Sequence, residues 1–417
     1  PARAAPARPA PPAWPPGWPA VRGGTGGGPL AGVKVLDLSV NMTGPTATLI
    51  LAQQGADVLK LEPPGGDVVR RIGSGRDGTS AYFANLNRGK RSIVVDVQQA
   101  AGRDLALRLS DAADVVVQNF RPGVVERLGL GPDELCARNP SLVYVSINGF
   151  GTTGPMAALP AYDHVVQALS GIAALQSDPR SGTGALVRQG IVDKVTGYTV
   201  AQAVTAALFA RATSGRGTRI EVPMLDAALS FTWPDGMMNQ TCLDPVTVVP
   251  PIANTFRPTQ TADGYIVLIA VTDEQWQGLF RASGLTHLLD DPDFATPGLR
   301  LKNGGRAMRQ IGAIFGALPT TEVLERLSAN DVACAPLVAL EDVAHQPQVV
   351  AAGSLEESVD PVLGRVVQPR PAARFVDIGA PIARPAPPLG ADTADVLADM
   401  GLSDDEVALL RASGAVG

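Results

Sequence analysis

The chain has 417 residues, 45 % of them hydrophobic and 18 % charged, which suits a globular protein with room for two domains and excludes a disordered chain. A formal net charge of −6 with no long basic stripe gives no reason to attract nucleic acid. Three isolated cysteines (Cys136, Cys242, Cys334) and three scattered histidines (His164, His287, His345) form neither a disulfide framework nor a metal-ligand spacing.

Residues 1–28 are Pro/Ala-rich and then Gly-rich, without the apolar stretch of a secretory signal. Such a composition builds no core, so a segment that is mobile or lies along the surface is expected. From residue 29 strands alternate with helices. Strands are predicted at 33–38, 57–62, 91–97, 114–120 and 142–150, with helices at 46–54 and 101–112 among them. Two helices, 163–175 and 194–212, precede a strand at 219–224. Nearly continuous apolar strands alternating with helices imply a parallel sheet covered on both faces, with its ligand at the C-terminal strand ends. The span 195–210 is the most apolar, but Thr199, Gln202 and Thr205 interrupt it and Lys194 and Arg211 close it, so no membrane crossing is expected.

The larger domain is thus placed at 29–225, with a Pro/Thr/Val-rich linker at 226–262. A smaller α+β domain follows at 263–339, with a strand at 265–270, helices at 273–283, 306–315 and 321–329, and a second apolar run at 332–338. Residues 340–417 return to complete the larger domain, with a β-like region at 354–367 and helices at 393–400 and 403–412.

The first strand-to-helix turn, Ser39-Val-Asn-Met-Thr-Gly-Pro45, lacks the G-x-G-x-x-G of dinucleotide binding, which argues against a nicotinamide enzyme. Arg88, Lys90, Arg91, Arg121 and Arg127 recur near strand ends or turns of an acidic protein and point to a phosphate-bearing ligand, with Phe120 placed for an adenine. In "RQGIVDKVTGYTVAQA" the carboxylate of Asp193 opens a long small-residue helix. Local sequence leaves two roles open there, helix cap and chemistry.

Taken together, "GPLAGVKVLDLSVNMTGPTATLILAQQGADVLKLEPPGGD", "NRGKRSIVVDV", "DVVVQNFRPGVVERLGLG", "NPSLVYVSINGFGTTGP" and "TSGRGTRIEVPMLDA", in that order, resemble the class III CoA-transferases. That family includes formyl-CoA transferase, carnitine CoA-transferase and α-methylacyl-CoA racemase. The resemblance runs from about residue 28 to near the C-terminus. It implies a large Rossmann-like domain with a parallel sheet, a smaller α+β domain, and a homodimer of two interlocked rings. Residue by residue, it places Asn41, Met42, Thr43, Lys90, Asn119, Phe120 and Arg127 at CoA contacts and makes Asp193 the nucleophile. The isolated cysteines point to a cytoplasmic protein and the His and Cys spacing to no metal, and the resemblance implies no tightly bound cofactor. CoA and acyl-CoA are then substrates, and the partners are an acyl-CoA donor and a carboxylic acid acceptor.

The racemase branch pairs this Asp with a His, whose position here is held by Tyr162, a poor base near neutrality and a candidate pocket residue. That departure favours transfer over racemisation. A non-catalytic acyl-CoA-binding protein would have lost the Asp, which is present. The glycine-rich loop of formate-handling members has no counterpart between Thr241 and Asp263. Its absence points away from oxalate/formate exchange, towards another acid such as a short dicarboxylate.

Overall fold

Four β-branched or leucine-rich runs form the middle of a parallel sheet because each strand offers apolar side chains to both faces. In the computed structural model, which describes residues 17–19, 27–177, 182–246, 248, 250–379, 381 and 383–417, these runs are β1 (Lys34–Asp37), β2 (Asp57–Glu62), β6 (Val115–Gln118) and β7 (Val143–Asn148). A short hairpin, β3 (Gly75–Arg76) and β4 (Thr79–Ser80), lies between β2 and β5 (Arg91–Val94), and β8 (Thr218–Pro223) completes the sheet. All neighbours pair parallel in the order β5-β2-β1-β6-β7-β8. This is the doubly wound, Rossmann-like order: the chain works outward from β1 in one direction, then returns to its other side. The crevice between the C-terminal ends of β1 and β6 is the topological switch point.

Side chains alternate across the sheet as the pleat requires. Val35, Val58, Val117 and Val145 face a core completed by α1 (Thr43–Gln53) and α8 (Ile191–Ser214). Leu36, Leu59, Val116 and Tyr144 face the other way, towards α3 (Ala100–Asp111), α5 (Pro132–Arg138) and α15 (Thr393–Asp399). The remaining helices of this part are α2 (Ala81–Asn87), α4 (Val124–Arg127), α6 (Asp163–Leu169), α7 (Ile172–Leu175) and α9 (Met224–Gly236).

The chain divides into two compact units. One comprises the described residues up to Phe231 together with Leu355–Gly417, including the antiparallel hairpin β12 (Leu355–Asp360) and β13 (Gly364–Pro369) and the helix α16 (Asp404–Ala412). The other, Thr232–Ser354, has a three-stranded antiparallel sheet of β9 (Thr259–Gln260), β10 (Tyr265–Ile269) and β11 (Ala333–Pro336). Its helices α11 (Asp273–Ala282), α12 (Pro297–Phe315) and α13 (Thr320–Ser328) pack through Leu279, Ile311, Phe315, Val323 and Leu327. Trp276 belongs to this core, in contact with Phe280 and Phe294. The short helices α10 (Met238–Thr241) and α14 (Pro347–Ala351) lie in the same unit.

Several elements depart from the sequence expectation for physical reasons. The helix expected over 163–175 is broken at Gly171, whose φ of 86° ends the helical ladder between α6 and α7. Residues 224–236 are helical where a linker is expected to start, since Met224, Leu225, Ala227, Ala228 and Leu229 are good helix formers. Helix α12 begins nine residues before the expected 306 because Thr296 caps it and Pro297 fits its first turn. Of the Pro/Gly-rich start, residues 1–16 and 20–26 lie outside the described residues. Trp18, by contrast, packs on the second face's core and its indole N–H donates to Asp57.

Candidate active site

A cavity of about 270 Å³ opens at the β1/β6 switch point. It is lined by Asn41 and Thr43 from the first loop and helix, Asn119, Phe120 and Arg121 from the end of β6, Tyr162 before α6, and Asp193 on α8. Six residues picked out by the family resemblance, Asn41, Thr43, Asn119, Phe120, Tyr162 and Asp193, therefore meet on one wall system. Met42, Lys90 and Arg127 do not line it. Met42 sits at the N-terminus of α1 with its thioether against Gly190. Arg127 ends the short α4 on the surface.

Lys90 is fully buried beneath the first loop. Its Nζ donates to Asp37 (3.0 Å), to the Pro45 carbonyl (3.1 Å) and to Asn87 (2.8 Å). Burial pushes this ammonium down to about 8 against the pull of Asp37. Asp37 also accepts from the Ser39 amide (2.9 Å) and from Thr48 (2.7 Å). Burial opposes its ionisation, yet Lys90, Lys60 and the hydroxyls of Ser39 and Thr48 hold its carboxyl well below the usual range. Lys60 in turn donates to the Ser39 carbonyl (2.7 Å) and pairs with Asp67 (3.1 Å), whose carboxylate receives the Asn41 amide. This buried lattice holds Asn41 in a left-handed conformation, φ 68°, at the cavity wall. Asn119 adds a clamp from β6, accepting from the Val40 amide (2.9 Å) and donating to its carbonyl (2.7 Å). Of the cations expected to face an anion, Arg91 instead pairs with Asp57 at the opposite end of the sheet.

Asp193 is the third residue of α8 and is 8 % exposed. Its carboxylate accepts from the Thr43 hydroxyl across to α1. The cap expected of Asp193 is supplied by another residue. Asp163, on α6, accepts from the amides of Val192 (2.7 Å) and Asp193 (3.0 Å) and also from Gln167 (2.5 Å). The neighbouring amides of Ile191 and Lys194 are bonded to the carbonyls of Gln189 and Gly190. The helix start is thus already satisfied, and its amides are not left to receive the Asp193 carboxylate. Burial first, with Asp163 adding repulsion, outweighs the Thr43 hydrogen bond and raises Asp193 to about 6. Along the chain Asp163 is simply the first residue of its own helix. No local signal marks a partner thirty residues away. His164, the neighbour of Asp163, is exposed and outside the cavity lining.

Gly197 lets α8 touch α1: a Cβ there would lie 2.8 Å from Thr46 and 3.0 Å from the Thr43 carbonyl. Gly197→Ala is therefore expected to cost about 1–3 kcal/mol by overpacking and to weaken transfer by moving Thr43 from Asp193. Urea denaturation and initial rates measure both effects. Replacing Asp163 with Ala strands two amides and is expected to cost about 1–2 kcal/mol. Because it also removes a negative charge, the acid limb of the pH–rate profile should move to lower pH.

Among the described residues no cluster of His, Cys, Asp and Glu is arranged to hold a metal ion, and no helix is long and apolar enough to cross a membrane. Fold and site together place a cavity at a Rossmann-like switch point with a buried carboxylate on its wall. The chain belongs to CoA-transferase family III, whose sequence profile matches residues 30–393. It is 33 % identical to the "probable fatty acyl-CoA transferase Rv3272" of Mycobacterium tuberculosis, over 89 % of this chain and 98 % of that one. It is 33 % identical to the formyl-CoA:oxalate CoA-transferase of Streptomyces coelicolor (93 % and 99 % covered) and 31 % identical to the succinyl-CoA:glutarate CoA-transferase of Homo sapiens (93 % and 90 % covered). A crystal structure of the mycobacterial protein superposes with a TM-score of 0.78 at 32 % identity, covering 91 % of this chain and all of that one. A CAIB/BAIF family protein from Brucella suis gives 0.76 at 30 %, with 90 % and 100 % covered. Relatives named for oxalate and for glutarate are about equally similar, so overall identity does not support the expectation against oxalate/formate exchange.

Proposed function

We propose that the protein moves CoA from an acyl-CoA donor to an organic carboxylate through covalent intermediates on Asp193. The observation that carries this reading is the placement of Asp193: a buried carboxylate, hydrogen-bonded by Thr43, on the wall of the switch-point cavity. Ionised Asp193 attacks the thioester carbonyl, giving a mixed anhydride and CoA thiolate. The thiolate attacks the aspartyl carbonyl, releasing the donor acid and leaving an aspartyl-CoA thioester. The acceptor carboxylate attacks that thioester, expelling thiolate and forming a second anhydride. The thiolate then attacks the acceptor's acyl carbon, which frees the new acyl-CoA and restores Asp193. Thioester energy is conserved throughout.

The reading assigns CoA to the Rossmann-like unit as a substrate, with no tightly bound cofactor. Phe120 and Arg121 at the end of β6 suit an adenine and a phosphate. Asn119, Lys90 and Met42 act by holding the first loop, and exposed Arg127 is assigned to a phosphate reaching past the cavity. Tyr162, 62 % exposed at the cavity, is assigned to substrate contact in place of a racemase base. An interlocked homodimer belongs to the same proposal. It is supported by Tyr198, Phe209 and Phe231, large apolar side chains left exposed on α8 and α9. Light scattering should then report twice the chain mass of 43.1 kDa. The three reduced cysteines are in keeping with a cytoplasmic enzyme.

The raised Asp193 gives a kinetic test. Only the carboxylate attacks, so kcat/KM should climb about tenfold per pH unit below about 6 and level off above it. A profile flat from pH 5 to 8 contradicts Asp193 as the nucleophile.

A further inference from the structure

The groups around Asp193 restrict what the acyl end of the substrate is. The cavity is walled by Val40, Val68, Ile147, Leu159 and Met224. Much of its polar lining is already committed. Asn119 is bonded at both ends to the Val40 backbone, the Asn148 side-chain oxygen accepts from the Gly151 amide (2.5 Å), and the Thr43 hydroxyl serves Asp193. Arg121 is the one cation among the lining residues, and it stands at the β6 end where the CoA phosphates are assigned. Lys60 and Lys90 are spent in the lattice below.

Asp163 is the largest single charge acting on the nucleophile, ahead of the opposing His164 and Lys194. Asp163 touches the amides beside Asp193 and has no ion-pair partner among the described residues. Burial, together with the carboxylates of Asp193, Asp67 and Asp163, pushes the Tyr82 hydroxyl up to about 12. A second carboxylate on the substrate would meet these apolar walls and the charge of Asp163, with Arg121 the only cation among the lining residues.

We infer that the acyl groups exchanged at Asp193 are apolar at their far end, monocarboxylates with a hydrocarbon tail, and not the short dicarboxylates expected from the missing glycine-rich loop. The inference rests on the aspartyl-CoA reading of the site. Carbons of the tail lie along Val68, Leu159 and Met224 while the reacting carboxylate meets Asp193.

The test uses the full chain with butyryl-CoA as donor and compares hexanoate with glutarate as acceptor. Hexanoate is expected to have the higher kcat/KM by at least about tenfold. Leu159→Lys, at a half-exposed wall position, should move that ratio towards glutarate. Glutarate equal to or better than hexanoate in the unmodified protein overturns the inference. Mass spectrometry of the protein with butyryl-CoA alone separates the two levels. A CoA adduct on Asp193 with glutarate preferred removes the apolar assignment and leaves the covalent mechanism standing. No adduct and no transfer to either acid removes the covalent mechanism, and the inference with it.

Discussion

Replacing Asp193 with Asn should lower the rate of CoA transfer by about a thousandfold or more and at the same time make the folded protein more stable. The amide cannot form the anhydride or the thioester, so catalysis by the covalent route ends. Its oxygen still accepts from Thr43, so the packing of α1 on α8 is kept. The gain in stability follows from the sign of the ionisation shift. Burial raises Asp193 from an ordinary 3.8 to about 6, so between these values the folded state holds a proton that the unfolded state has lost. Stability therefore falls as pH rises through this window, and the loss is complete above it. A shift of this size corresponds to roughly 1–3 kcal/mol once residual solvent access is allowed for. Urea denaturation at pH 8 should show the Asn variant more stable by about that amount, with the difference vanishing below about pH 4. A variant that is inactive and also less stable at pH 8 would mean that the carboxylate is held by favourable partners, not strained by burial.

The second large effect lies beneath the site. Asp37→Ala removes the carboxylate that faces both Lys60 and Lys90, each fully buried. Breaking a buried ion cluster from one side leaves charge without a partner and typically costs about 3–5 kcal/mol. The Ser39 amide and hydroxyl lose their acceptor as well. The denaturation midpoint should fall accordingly, and CoA affinity should fall with it, since the loop carrying Asn41 and Thr43 rests on this lattice. Removing Lys90 as well, as Lys90→Met with Asp37→Ala, should recover part of the stability because one stranded ammonium is gone. A loss under about 1 kcal/mol for Asp37→Ala would show that the lattice does not hold the loop.

How much of this was legible before the fold is clearest in particular residues. The strand Asp57–Glu62 is found at its full extent, and the other central strands to within three residues at each end, because buried parallel strands are β-branched or leucine-rich along their length. The switch point follows from strand order, which sequence alone does not display. Lys90 is recognisable as a family position, yet its role as a buried partner of Asp37 depends on a contact across 53 residues. Asp193 stands at a helix start in the sequence, and there a cap is the natural local reading. The cap proves to be Asp163, thirty residues earlier and on another helix. Gly197 is one small residue among several in α8 until α1 is seen against it. In each case the missing information is tertiary: burial and partner choice are decided by elements distant in the chain.

The covalent claim is tested most directly by oxygen transfer. With an acceptor acid labelled with oxygen-18 in its carboxylate, the bridging oxygen of the second anhydride stays on Asp193 when thiolate attacks the acyl carbon. After turnover, the peptide containing Asp193 should carry oxygen-18 in its side chain, and the heavy label should be absent from the same peptide when acyl-CoA is omitted. Formation of labelled acyl-CoA with no label on Asp193 would contradict the account, because it would show CoA passing between the acids without an aspartyl intermediate.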